Sequence, residues 1–344
     1  MHLNYCTLFN SNYLDKGVVL YESLVNVADD FTLYILAMDD KCFDVLSDMA
    51  LPCVKPIKLS DIEDDEMLKS KKNRSMGQYC WTCTSCFLFY LLNSLKLDNC
   101  TYLDSDMYFY QNPKVLIEEM LQAEASCLIV EHRFPKSEDR SNRVGRFCVE
   151  FNSFLNNSQG MEILTQWRKE CIEECSQKDD GIHWGDQKYL DKWPSLYGKN
   201  VHVLKNLGGG VAPWNISQYR YIASMNGSIM LEEKSTNRIF NLVFYHFENI
   251  RFLNSKKATA PLYADSTKKD FVKALYANYL MRIVKHKAFL MDKYGISFEI
   301  KRHPTSSNRE FGIGYYVRKI YEYIRYPQKG YYKYKSKRSF VELN

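Results

Sequence analysis

No uninterrupted apolar stretch in this 344-residue chain approaches the roughly 20 residues a membrane-spanning helix needs. The N-terminus, MHLNYCTLFNSNYLDKG, has neither a basic leader nor a long apolar segment with a small-residue cleavage site, so no secretory signal is expected. These absences predict a cytoplasmic chain, at most peripheral on the inner face of a membrane. No internal repeat or low-complexity tract occurs. The run Cys80, Cys83, Cys86 lacks the fourth cysteine of an iron–sulfur motif, because position 90 is Tyr. CWTCTSCFLFYLLNSL reads instead as a helix with small thiols along a buried face, and Cys171 and Cys175 read the same way. An odd total of 11 cysteines without an export signal points to reduced thiols.

What is present is a globular composition, 46% hydrophobic and 25% charged. The net charge of +5 is modest and its surplus lies at the C-terminus. No nucleic-acid partner is expected. Short β-rich runs alternate with helical patterns through the first half, which predicts an α/β sheet. Strands are expected at 3–9, 31–38, 54–59, 100–104, 126–131 and 147–157, and later at 201–215, running into a glycine-rich turn, and at 241–247. Helices are expected near 16–27, 41–49, 80–96, 158–175 and 184–193. Composition shifts near 255, and helical patterns follow at 268–292 and 313–326. The chain therefore divides into 1–255 and a helical, basic, Tyr-rich extension, 256–344.

The segment TYLDSDMYFY (101–110) sets two carboxylates two residues apart behind an apolar strand. Residues i and i+2 of a strand share a face, so Asp104 and Asp106 can converge at its carboxyl end, where open α/β sheets bind ligands. A turn with solvated acids is the plain alternative. Two adjacent carboxylates are comfortable around a divalent cation, and oxygen ligands suit Mg²⁺ or Mn²⁺.

YLDSDMYF resembles the metal motif of glycosyltransferases with the nucleotide-diphospho-sugar (GT-A) fold. The chain is similar to the retaining family that includes glycogenin and bacterial lipopolysaccharide galactosyltransferases. That resemblance covers roughly residues 3–250. It implies a Rossmann-like mixed sheet flanked by helices and transfer of a sugar from a nucleotide-diphosphate donor, a UDP-sugar. In TLFNSNYLDKG it implies that Thr7 and Tyr13 contact the uracil, with Asn12-Tyr13 matching the family's Asn-Tyr pair and Asn10 and Ser11 standing where acids are usual. In FNSFL it places Asn152 at the donor sugar, with Phe154 where a glycine is usual. In WGDQKYLD it places Asp186 and Gln187 against the reacting sugar, although Asp186 alone also reads as an exposed helical N-terminus. In LVFYHFENI it makes His246 the third metal ligand beside Asp104 and Asp106.

The family's Gly and Lys-Pro-Trp after that histidine are missing here, so Arg251, Lys256 or Lys257 are the substitutes nearby. In KSKKNRSMGQY, Lys72 or Arg74 is the candidate phosphate-facing cation. NLGGGVAPWN resembles a substrate-facing loop in which Gly208 to Gly210 permit positive φ and close approach. It is not a P-loop, since no G-K-[ST] follows. Trp214 reads as core, or as a platform for an acceptor sugar. A saccharide or glycolipid acceptor is implied, in surface polysaccharide or lipopolysaccharide synthesis.

Residues 315–344 carry eight Lys or Arg against two Glu, interleaved with eight tyrosines. That composition suits an anionic membrane surface, or a solvated helix packed on its own domain. A sugar nucleotidyltransferase would open with G-x-G-T-R, where this chain reads FNSNYLDKG. A non-enzymatic basic binding protein would explain the tail, but not the ordered D-x-D, D-Q and His set.

Overall fold

The structure, a computed structural model, describes residues 1–178, 180–225, 227–254, 257–260, 270–298 and 339–342. Its first part is strand–helix alternation. The elements are β1 (Leu3–Phe9), α1 (Leu14–Val27), β2 (Phe31–Ala37), α2 (Asp40–Met49), β3 (Val54–Lys58), α3 (Asp65–Lys71), α4 (Met76–Asn93) and β4 (Asn99–Leu103). There follow β5 (Met107–Phe109), α5 (Lys114–Gln122), β6 (Cys127–Glu131), α6 (Ser141–Val144), β7 (Phe147–Leu155), α7 (Ser158–Glu173), α8 (Trp193–Tyr197) and β8 (Val201–Val203). The remainder is β9 (Tyr219–Met225), β10 (Ser228–Glu233), β11 (Ile239–Asn241), β12 (Phe244–His246), β13 (Arg251–Asn254), β14 (Lys257–Ala260), α9 (Asp270–Tyr294) and β15 (Ser339–Glu342).

The central sheet has seven strands in the order β3-β2-β1-β4-β7-β6-β8. β3, β2, β1 and β4 run parallel, because helical crossovers join them; β7 is antiparallel to both β4 and β6. Alternate strand residues feed two cores. Cys6, Leu8, Tyr34 and Leu36 meet α4 and α7 through Phe87, Leu88 and Trp167. Tyr5, Phe9, Leu33 and Ile35 meet α1, α2 and α5 through Leu20, Leu46 and Leu116. Both faces are covered, which is why these strands read as continuous apolar runs. This is the α/β mixed sheet flanked by helices that the resemblance implies.

Local signals set most boundaries. Helix α4 starts earlier than the expected 80, because Ser75 and Gln78 form a capping box in which each side chain accepts from the other's backbone N–H. Its thiols behave as expected: Cys83 and Cys86 are buried in the core and Cys80 is half-buried. The run 201–215 is a short strand, β8, running into the glycine-rich turn, as expected. Other expectations are corrected. The segment 184–193 is a 3-10 turn at Lys188–Lys192 leading into α8. Strand β5, helices α3 and α5 and the three-stranded sheet β11-β10-β9 were not anticipated. The expected helix 268–292 is α9; Val272, Tyr276 and Ile283 share a core with Val19 and Tyr245. The expected helix at 313–326 lies outside the described residues, as does the basic tail apart from β15.

The glycine-rich turn after β8 has two positions where the missing Cβ matters. Gly210 sits at φ +79, and a Cβ on Gly208 would lie 2.1 Å from the Asn241 carbonyl oxygen. The close approach lets the Gly208 carbonyl accept from the Val243 N–H at 2.9 Å, leading the chain into β12.

Candidate metal and nucleotide-sugar site

A cleft of about 720 Å³ opens at the carboxyl ends of β1 and β4. That volume suits a small organic ligand, and the position is where α/β sheets bind one. Leu8 to Asn10 and Tyr13 line it after β1, and Asp104 to Asp106 after β4. Met76, Gly77, Cys80 and Trp81 of α4 come from one side, with His132, Phe134 and Arg140 after β6.

Asp104 and Asp106 converge through a turn and not through strand alternation. The Met107 N–H donates back to the Asp104 carbonyl at 3.3 Å, closing the turn between β4 and β5. His246 arrives from 140 residues away. It does so because β12 pairs antiparallel with β5, placing His246 opposite Met107, while the Phe247 N–H donates to the Asp106 carbonyl at 2.8 Å. His246 Nε2 then lies 3.0 Å from Asp106 Oδ1 and 3.6 Å from Asp104 Oδ2. The donor atoms of all three residues lie within 4.8 Å of one another.

The charges fit a cation. Desolvation pushes the Asp104 carboxyl up to about 8, although 29% of its side chain faces the cleft; Asp106 and Asp186 push the same way and His246 opposes them. Burial alone would lower the His246 pKa, but the charge and hydrogen bond of Asp106 outweigh it and hold the imidazole well above its ordinary value. The imidazolium thus offsets clustered carboxylates that a divalent ion would otherwise neutralise. Two carboxylates and one imidazole with a side open to the cleft are donors that Mn²⁺ or Mg²⁺ accepts.

The structure places the other sequence-derived candidates unequally. Asp186 and Gln187 line the cleft. Asp186 is 6% exposed, unlike an acid at a free helical N-terminus, and the Trp167 indole N–H donates to its carbonyl at 2.9 Å. Gln187 Nε2 donates to the Val144 carbonyl. Tyr13 lines the cleft with the Lys16 ammonium 3.5 Å from its ring centroid, and Lys16 is itself buried and helps lower Asp106. Trp214 is both core and cleft wall, only 5% exposed.

Thr7, Asn12 and Asn152 are not among the residues lining the cleft. Thr7 is fully buried within β1, and Asn12 is exposed beyond it. Asn152 is fully buried opposite Tyr102 of β4, with its amide oriented to donate to the Cys148 and Phe151 carbonyls. Arg74 does not face the cleft either: its guanidinium donates to Thr82 Oγ1 and to the Ile172 carbonyl, tying α4 to α7. Lys72 is exposed. Among the described residues, the arginine that lines the cleft is Arg140, whose guanidinium lies 5.0 Å from the Phe134 ring centroid. Lys256 and the side chains of Arg251 and Lys257 lie outside the described residues.

Two further residues escaped the sequence. Glu150, fully buried on β7, accepts from His246 Nδ1 at 2.7 Å and so turns Nε2 toward the aspartates. The signal was available as a lone acid inside the apolar run FCVEF. Cys148, on the same strand, lines the cleft and hydrogen-bonds the His246 side chain.

Burial holds the Asp186 carboxyl up at about 7, which yields a pH prediction. Between pH 4 and 7 the unfolded chain releases a proton that the folded one keeps, so this group makes stability fall as pH rises through that window and stay level above it. Asp186→Asn removes that slope. Its stability relative to the parent should improve by a few kcal/mol between pH 4.5 and pH 7.5, read from urea midpoints at the two pH values. Equal differences at both would show that Asp186 ionises normally.

No family model matches the chain. It is 31% identical over 286 residues to the uncharacterized protein YfnD of Bacillus subtilis (strain 168), covering 81% of this chain and 88% of that protein. YfnF of the same strain is 32% identical over 290 residues, covering 82% and 93%. Among solved structures, the galactosyltransferase LgtC in complex with donor and acceptor sugar analogs superposes with a TM-score of 0.51 at 13% identity, covering 83% of this chain and 96% of LgtC. At that identity the likeness establishes the fold, and the fold is the GT-A one.

Proposed function

The chain belongs to the family of Bacillus subtilis YfnD and YfnF, and we propose that it is a metal-dependent glycosyltransferase. It would move a sugar from a UDP-sugar to a saccharide or lipid-linked acceptor, with retention, in surface polysaccharide or lipopolysaccharide synthesis. The observation that carries this reading is the convergence of Asp104, Asp106 and His246 on one wall of the cleft. Fold likeness to a galactosyltransferase supports it.

Asp104, Asp106 and His246 would hold Mn²⁺ or Mg²⁺, whose charge offsets that of the departing nucleoside diphosphate. The chain's own residues do the remainder. Glu150, by accepting from Nδ1, holds the His246 ring in the orientation that aims Nε2 at the site. Tyr13 offers a ring face beside the cleft for a nucleobase, with Lys16 behind it. Arg140 brings positive charge to the cleft wall. Asp186 and Gln187 present polar groups toward the sugar, and Trp81, Trp184 and Phe134 wall it from water.

The test is nucleoside diphosphate release from a panel of sugar nucleotides, with and without Mn²⁺, using the full chain. Release from one UDP-sugar, lost on chelation and restored by Mn²⁺, is the expected result. No release from any donor, or release indifferent to chelation, would overturn the reading.

A further inference from the structure

The His246 ring faces a different donor set with each nitrogen. Nε2 looks toward Asp104 and Asp106, while Nδ1 lies 2.7 Å from Glu150 Oε2 on the opposite edge. Cys148 lies beside the same imidazole. Donor atoms from Cys148, Glu150 and His246 also fall within 4.8 Å of one another. The three residues are 5%, 0% and 5% exposed, yet Cys148 lines the cleft and so provides an entry path. Glu150 uses only one of its oxygens: Oε1 is buried with no hydrogen-bond partner. A buried carboxylate oxygen without a partner is costly unless something else meets it.

We propose that Cys148, Glu150 and His246 Nδ1 form a second metal position, which takes Zn²⁺ in preference to Mg²⁺ or Mn²⁺. Thiolate and imidazole suit the softer ion, whereas the aspartate pair suits the harder ones. Three protein ligands leave the fourth tetrahedral position open toward the cleft. On binding, the Cys148 thiol and His246 Nδ1 each lose a proton to solvent, and Glu150 exchanges its hydrogen bond for a bond to the ion. The thiolate and carboxylate balance the two positive charges, and nothing is oxidised or reduced. Because both positions share one imidazole, Zn²⁺ withdraws the hydrogen bond that orients His246 toward the aspartates. The two cations are therefore linked, and Zn²⁺ weakens Mn²⁺ binding.

The test uses full-length, reduced protein and Co²⁺ as a spectroscopic stand-in for Zn²⁺, and it needs no sugar donor, so failure of the transferase reading does not decide it. Co²⁺ alone should give a near-ultraviolet thiolate charge-transfer band at one ion per chain, bleached by Zn²⁺. Cys148→Ser and Cys148→Ala should remove the band while melting cooperatively. Glu150→Gln should weaken Co²⁺ about tenfold or more, and Asp106→Asn should keep the band. No band in the parent, a band surviving both cysteine variants, or a band lost in Asp106→Asn would each overturn the proposal. If both cysteine variants fail to fold, an unweakened band in Glu150→Gln overturns it instead.

Discussion

Asp106→Asn lowers metal-dependent sugar transfer by on the order of 10²–10³-fold, and the variant still melts cooperatively. Two consequences of the geometry combine in that number. The carboxylate 3.0 Å from His246 Nε2 becomes a neutral amide, so the cation position loses a charged ligand. The imidazolium also loses the partner whose charge and hydrogen bond hold its pKa up against burial. The fold survives because the backbone links at this position, including the Phe247 N–H donating to the Asp106 carbonyl, do not involve the side chain. Initial rates at saturating donor, with Mn²⁺ titrated, check it. Full activity at any Mn²⁺ concentration would end the metal-site reading.

The second large effect is structural. Trp167→Ala should cost about 3–5 kcal/mol, a large share of the 5–15 kcal/mol typical of a domain. Trp167 is fully buried, stacked on Phe154 with centroids 6.0 Å apart and edge-on to Trp193 at 5.5 Å. It also ties core to cleft, since its indole N–H is the donor to the Asp186 carbonyl. Trp167→Phe should recover most of the packing but leave that buried carbonyl without its donor, at about 1–3 kcal/mol. Urea unfolding of the three proteins gives the ordering. A loss under about 1 kcal/mol in Trp167→Ala would mean that the cavity collapses around it.

Much of this was legible in the chain. Short β-rich apolar runs gave the parallel strands, and helical periodicity gave α1, α2, α4 and α7, because those patterns record which residues of each element meet a core. YLDSDMYF marked two aspartates that the structure does bring together, although through a turn and not through strand alternation. Elements with weak patterns were lost. The three residues of β5 and the largely exposed β9 carry too little buried apolar surface to announce themselves.

Arg74 and Arg140 show where legibility ends. Both are arginines in polar, basic stretches, and nothing local separates them. Packing sends the first into a hydrogen bond with α7 and sets the second on the cleft wall. Glu150 is the same lesson from the core: a buried acid is tolerable only with a partner, and its partner lies 96 residues away.

The sequence by itself determined the element types and the two carboxylates at the end of β4, because those follow from periodicity and short-range spacing along the chain. Only the tertiary structure decided which arginine and which further acid stand around them, and how His246, which the family resemblance implies, reaches them. Those choices rest on pairings such as β5 with β12, made between segments far apart in sequence, where no local pattern reports which side chains will meet.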